Sequence, residues 1–319
     1  MTREILITGG LGYVGGRVAQ HLASVPGLKL RLTSRTPPAA SPVWLTNGRV
    51  VAWDTASPDL APLLEGVDTV VHFAALNEID SARDPIQALH VNGTETVRLL
   101  LAAQQAGVRR FVYFSTAHVY GAPLVGDIDE RTLPRPMHPY AISHKVAEDF
   151  VLAQHDQGKI EGVVFRLSNG FGAPINPDVN RWTLIANDLC RQAVTGRKLV
   201  LKSSGLQRRD FVTLEDVARC VEHFIDLPKA QLQDGLFNLG GDCVLSMYEM
   251  AAVIARRCES ILGFLPSIDR PSPAPSEAAP GLRYDINKLK AAGFALNGRV
   301  DDEIDATLRL CQQAFRNNE

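Results

Sequence analysis

Short apolar runs alternate with helix-length segments through the first two-thirds of the chain. EILIT (4–8), LRLT (30–33), VVAW (50–53), TVVHFAA (69–75), RFVYFST (110–116) and GVVFRLS (162–168) are rich in β-branched and aromatic residues. Several are apolar almost without interruption, as strands covered on both faces are. Between them, VGGRVAQHLAS, PIQALHVNGTETVRLLLAAQQAG and PYAISHKVAEDFVLAQHD have helical character. Strand–helix–strand repetition predicts an α/β fold, a doubly wound parallel sheet with right-handed crossovers. Beyond Gly172 the regularity fades. RWTLIANDLCRQAVTG and VLSMYEMAAVIARRC predict helices, whereas RPSPAPSEAAP (270–280) reads as a linker or as the border of a pocket.

The 319 residues suffice for one large α/β domain or two closely joined ones. A net charge of -2 gives no electrostatic ground for binding nucleic acid or an anionic membrane surface. No apolar run approaches the roughly 18 residues of a membrane helix, and MTREILITGG carries no signal-peptide pattern. Cys190, Cys220, Cys243, Cys258 and Cys311 are scattered without a C-x-x-C pair, which fits reduced thiols and a cytoplasmic location. The histidines show no metal-ligand spacing, so no metal is expected, and His72 reads as a packed strand residue.

The most specific local signal is ITGGLGYVGGRVAQHL. Gly9, Gly12 and Gly15 follow a strand and precede a helix. The first permits a tight turn, the second lets backbone approach a pyrophosphate, and the third lets helix pack on strand. The helix N-terminus then offers free N–H groups and its positive dipole end to phosphate. This is a dinucleotide-binding loop. After the second strand the chain offers Ser34 and Arg35 where an NAD site carries an acid for the ribose hydroxyl. An arginine pairs with a 2′-phosphate that a carboxylate would repel, so NADP is preferred over NAD. Asp54, after the third strand, is a candidate acceptor for the adenine amino group.

The glycine loop, VNGTETVRLLLAAQQAGVRRFVYFSTAHVYG, RLSNGFGAP, QRRDFVTLEDVA, LFNLGG and LRYDINKLKAAGF stand in an order that resembles the extended short-chain dehydrogenase/reductases. These are the nucleotide-sugar epimerases, dehydratases and reductases, and the resemblance covers nearly the whole chain. It implies a Rossmann domain over residues 1–170 with returning segments near 205–245. Residues 171–204 and 246–319 would form a smaller, mixed α/β substrate domain. It implies that Tyr140 is the acid/base, that Thr116 orients the substrate oxygen and that Ser115 is the fallback for that role. Tyr13, Val14, Ala74, Ala75 and Asn92 would join the glycines at the cofactor, together with Tyr140 and His144. Asn169 and Arg209 would hold the substrate diphosphate, with Arg208 able to exchange roles with Arg209, and NPDVNRW (176–182) would enter the substrate pocket.

The resemblance calls for a lysine four residues beyond the tyrosine, where this chain has His144. Lys145 cannot replace it, because on a helix position i+5 lies about 140° from Tyr140 while i+4 lies about 40° away. Imidazole can bond a ribose hydroxyl but is largely neutral near pH 7.5, so it lowers the phenol's pKa less than an ammonium does. That suits a reaction in which the phenol donates a proton. Sugar dehydratases of this kind carry an acidic pair after the threonine, where this chain has Ala117 and His118, so dehydration is not expected. The expected activity is a keto-sugar reductase or 4-epimerase, with a cofactor-binding sensor or scaffold as the alternative. LLLAAQQAG and VAEDFVLA have apolar faces that fit a homodimer.

Overall fold

Seven strands form one parallel sheet: β1 (Arg3–Thr8), β2 (Leu28–Ser34), β3 (Gly48–Ala52), β4 (Val67–His72), β5 (Arg110–Thr116), Glu161–Leu167 and Leu236–Leu239. From one edge the order is Leu236–Leu239, Glu161–Leu167, β5, β4, β1, β2, β3. The chain order reverses between β1 and β4, and in such sheets ligands bind outside the carboxyl ends of the strands at that point. The computed structural model describes residues 2–54, 57–277 and 279–315, so Ala278 of the proline-rich stretch lies outside the described residues.

The strands form because their side chains are buried on both faces. Ile5 and Ile7 join a core cluster with Val18, Leu22, Val112, Phe165 and Phe224. Leu6, between them, points the other way into a cluster with Val70, Leu99, Phe111 and Val164. This period of two explains why the runs look uniformly apolar rather than alternating. β5 matches its predicted span. β4 ends at His72, not at residue 75, because the chain then turns away to line the cleft. The edge strand Leu236–Leu239 goes beyond the predicted strands.

Helix α1 (Tyr13–Leu22) follows the glycine loop, and the helix Pro139–Asp156 spans the predicted segment. The segment beginning PIQALHV is not one uniform helix: Pro85–Ala88 and Thr96–Gln105 are α-helical, with a π-helical turn at Leu89–Glu95 between them. VLSMYEMAAVIARRC is also divided, into a strand (Val244–Ser246) and a helix (Met247–Leu262). Ser246 stops the strand by capping the helix: its hydroxyl accepts from Glu249 N–H at 3.1 Å, while the Glu249 carboxylate accepts from Ser246 N–H at 2.7 Å.

A third core cluster joins the helices Ile185–Gly196, Met247–Leu262 and Val300–Phe315 through Leu189, Met250, Ile254 and Leu308. A three-stranded sheet, Val244–Ser246, Arg208–Thr213 and Asn169–Phe171, lies beside the cleft. Among the described residues no helix is long and apolar enough to cross a membrane.

Candidate active site

A cleft of about 750 Å³ opens at the carboxyl ends of the central strands. Gly9 holds a left-handed φ of +65°, and a Cβ on Gly15 would lie 2.4 Å from the Gly9 carbonyl oxygen. Only glycine permits this cradle, and α1 begins directly above it with Gly12 as its cap. The cradle therefore fits a dinucleotide pyrophosphate. Val14 lines it as well, and so does Tyr13, whose hydroxyl donates to the Gly172 carbonyl at 3.0 Å and accepts from Asn187 Nδ2 at 3.0 Å. Tyr13 thereby ties the loop to the neighbouring helix Ile185–Gly196.

Further along, Ser34, Arg35 and Asp54 line one end of the cleft, and Ala74 and Ala75 line its middle. The Ser34 hydroxyl is engaged in a local turn with Thr36, whereas Arg35 is exposed. Asn92 does not line the cleft. It is 1% exposed, and its side chain accepts from Leu76 N–H at 2.7 Å and donates to Ser143 Oγ at 3.0 Å. The π-turn brings Asn92 inward, so that it fixes the loop after β4 against the helix that carries Tyr140.

Tyr140 sits in the first turn of Pro139–Asp156. Pro139 occupies a position where its missing N–H costs nothing, and His138 Nδ1 accepts from Tyr140 N–H at 3.2 Å. One turn on, the His144 ring lies 4.4 Å from the Tyr140 ring, centroid to centroid. His144 Nδ1 faces the Tyr113 hydroxyl at 2.7 Å, shorter than the 3.4 Å from that hydroxyl to the His144 carbonyl. Burial raises the Tyr113 pKa, then Tyr140 and Glu148 add to it, so Tyr113 remains a donor. With Nδ1 engaged by Tyr113, the other ring nitrogen is Nε2. That nitrogen is buried and has no partner among the described residues.

Burial lowers the His144 pKa to about 4, outweighing the opposing effect of the Glu78 carboxylate and the Phe114 carbonyl. Burial also raises the pKa of Tyr140; Glu78 adds to that rise and Arg181 opposes it. The pair is thus a neutral imidazole beside a protonated phenol. Lys145 is turned away, to Glu148 at 3.6 Å and to Asp149.

The two hydroxyls at the end of β5 differ. Ser115 Oγ donates to Glu148 Oε2 at 2.8 Å, inside the buried Glu148–Arg166 ion pair. Thr116 Oγ1 accepts from His118 N–H at 3.2 Å, which leaves its own proton to give to a ligand. Both line the cleft. Thr116 is the freer donor.

Asn169 and Arg209 face the same cleft from the small sheet. Asn169 Nδ2 is spent on the Asp210 carbonyl at 2.9 Å, leaving its oxygen. Arg208 pairs with Glu249 at 3.2 Å, whereas no hydrogen bond or ion pair holds the Arg209 guanidinium among the described residues. Val179, Asn180 and Arg181 bring the 176–182 stretch into the lining, while no described residue of 270–280 lines it. That proline-rich stretch instead packs on Ser204, whose carbonyl accepts from Arg270 at 2.6 Å.

Glu78 and His118, which also line the cleft, were not singled out from sequence. Glu78 pairs with Arg181 at 3.4 Å across a separation of 103 residues. Nothing in spacing or periodicity marks such a pair.

His144 and the strand residue His72 give a stability prediction. His72 is held between Thr8 Oγ1 at 2.6 Å and Thr96 Oγ1 at 2.8 Å, and burial, with a smaller contribution from His144, lowers its pKa to about 3. Both folded-state values lie below the unfolded value near 6.5, so the unfolded chain binds the extra protons. Their stabilisation is complete above about pH 6.5 and is lost as pH falls toward 4 and 3. A loss on the order of 3 kcal/mol for His144 and about 5 kcal/mol for His72 is expected. Denaturant titrations of wild type and His72→Asn across this range check it, the variant showing the shallower decline.

A model of the NAD dependent epimerase/dehydratase family matches residues 5–240. The chain is 30% identical over 260 residues to dTDP-D-glucose 4,6-dehydratase of Mus musculus, covering 78% of this chain and 71% of that protein. It is 31% identical to UDP-glucose 4-epimerase of Rhizobium leguminosarum bv. trifolii, covering 75% of each. Among solved structures it is similar to MoeE5 in complex with UDP-glucose and NAD, with a TM-score of 0.77, 25% identity, and coverage of 97% of this chain and 99% of that one. A glycine cradle, a tyrosine at the mouth of the neighbouring helix and the matched family model over most of the length agree: the chain is an enzyme of the NAD dependent epimerase/dehydratase family, one of the extended short-chain dehydrogenase/reductases.

Proposed function

We propose that the enzyme reduces a ketone on a nucleotide-linked sugar with NADPH, Tyr140 giving the proton. The observation that carries this reading is the Tyr140–His144 pair, in which a neutral histidine stands where the extended short-chain dehydrogenase/reductases resembled here have a lysine. With burial and the Glu78 carboxylate outweighing the Arg181 guanidinium, Tyr140 is held in the proton-donor form that carbonyl reduction requires. Oxidation of a sugar alcohol, the first half of a 4-epimerisation, needs the phenolate, which this surrounding disfavours. Dehydration is not favoured, since Ala117 and His118 supply no carboxylic acid pair beside Thr116.

The bound nicotinamide supplies the hydride. Toward the reacting oxygen, Thr116 donates one hydrogen bond and Tyr140 gives up its phenolic proton as the new C–H bond forms. His144, through its unpartnered Nε2, would bond a ribose hydroxyl and so help to set the nicotinamide end of the cofactor. The glycine cradle and the first turn of α1 hold the pyrophosphate. Arg209, unpaired among the described residues and lining the cleft, would hold the substrate diphosphate, with the Asn169 oxygen left to serve the same ligand. Ser34 and Arg35, with no acid beside them on β2, support NADP.

Arg35→Ala is expected to weaken NADPH binding about tenfold and to change NADH binding less than twofold. Fluorescence titration of the reduced dinucleotides measures both. Adding UDP- and dTDP-linked 4-keto-sugars to the NADPH complex then tests the reaction, and NADPH oxidation is the expected result. Tight cofactor binding with no turnover of any such sugar, unrescued by His144→Lys, would instead mark a cofactor-binding scaffold.

The exposed apolar residues Leu89, Leu101, Ile142 and Phe150 lie on the two helical segments whose sequences fit a dimer contact. A homodimer through this face belongs to the same proposal.

A further inference from the structure

We infer that Glu78 sets the sugar specificity of this cleft, admitting rings that offer hydroxyl or amino donors beside Tyr140 and rejecting those that carry a carboxylate there. This rests on the reading above, that the ligand is a nucleotide-linked sugar whose reacting carbon lies at Tyr140. Glu78 lines the cleft and follows the loop that Asn92 fixes against the tyrosine helix. The Asn92 hydrogen bonds thus fix the backbone two residues before Glu78 against the helix that carries Tyr140.

Its partner, Arg181, comes from the opposite, substrate-side loop. Their 3.4 Å contact is long for a charged hydrogen bond, and the side chains are 44% and 31% exposed, so solvent and ligand both reach the pair. In this pairing the Glu78 carboxylate offsets the Arg181 charge that a ligand anion would otherwise meet. At Tyr140 the carboxylate outweighs the guanidinium, and at His144 it is the one charged group that acts. With the reacting carbon at Tyr140, substituents on the adjacent ring carbons face this wall. A hydroxyl or amine there donates to Glu78, whereas a carboxylate meets a like charge in a partly desolvated site.

The test measures dissociation constants of glucose and glucuronate linked to UDP, and in parallel to dTDP, by calorimetry on the NADPH complex. UDP and dTDP alone serve as controls that do not reach Glu78. Wild type is expected to bind the glucosyl compound at least tenfold more tightly than the glucuronosyl compound (a factor of about ten is a modest charge discrimination). Glu78→Gln should shrink that ratio by about tenfold, and Arg181→Gln, which leaves Glu78 uncompensated, should widen it. The opposite signs separate a charge effect from a general disturbance of the loop. Equal binding of the two sugars in wild type, or a ratio that neither variant moves, would overturn the assignment of Glu78 while leaving the proposed reaction intact. Failure of both nucleotide series to bind would overturn the nucleotide-sugar reading itself, and this inference with it.

Discussion

Tyr140→Phe is expected to lower kcat for ketone reduction by about a thousandfold, within the range a positioned general acid contributes. The change removes only the hydroxyl. Its ring contact with His144, at 4.4 Å, is retained, so the fold and the cofactor cradle should persist. NADPH affinity is therefore expected to change by less than about threefold, since binding rests mainly on the glycine loop and the positive end of α1. Steady-state turnover and dinucleotide titration on the same preparation separate the two effects. A kcat within about tenfold of wild type would show that another group delivers the proton. Thr116→Val would then be the next variant, because Thr116 is the other hydroxyl free to donate into the cleft.

The largest stability effect is expected from Glu148→Gln. Glu148 is 0% exposed, and it accepts from Arg166 Nη2 at 2.5 Å and from Ser115 Oγ at 2.8 Å. Burial alone would lower the Arg166 pKa, but Glu148 more than offsets it and the net shift is upward. Arg166 is itself 3% exposed and stacks over the Tyr120 ring at 4.6 Å. A neutral glutamine would leave this guanidinium charged and uncompensated in the interior, with one nitrogen, Nη1, already lacking a hydrogen-bond partner among the described residues. The expected cost is about 3 kcal/mol, read as a Tm lower by roughly 5–10 °C. Because Ser115 borders Thr116, turnover should fall as well. Lys145→Gln, at the outer side of the same carboxylate, is the comparison and should cost under about 0.5 kcal/mol.

Much of this site was legible because its parts are local. The glycine spacing fixes a turn, the strand–helix alternation fixes which ends of the sheet face the ligand, and Pro139-Tyr140 marks a helix start. The expectation that His144, not Lys145, shares the face of Tyr140 was equally local, since a one-residue offset on a helix changes its face. What spacing could not give is the state of that histidine. Its low pKa comes from burial, and Tyr113, which meets its ring, arrives from the separate strand β5. Asn92, expected at the cofactor, is instead buried away from the cleft lining, and its direction is set by a π-turn that the apolar period of its segment does not reveal. The strand before Met247 was missed although S-x-x-E at Ser246–Glu249 signals a helix start, and that signal outranks the apolar pattern of VLSMY. Glu78 and Arg181 meet through tertiary structure alone.

The central claim is that Tyr140 acts as a proton donor held protonated by burial beside a neutral His144. The pH dependence of kcat for NADPH-dependent reduction of the sugar ketone tests it most directly. Kcat is predicted to stay level from about pH 6.5 to about pH 10, because the Tyr140 pKa lies above the ordinary phenol value. A fall centred between about pH 6 and pH 8 that His144→Asn leaves in place would contradict it, for it would mean that a cation lowers the tyrosine as in a lysine-assisted site.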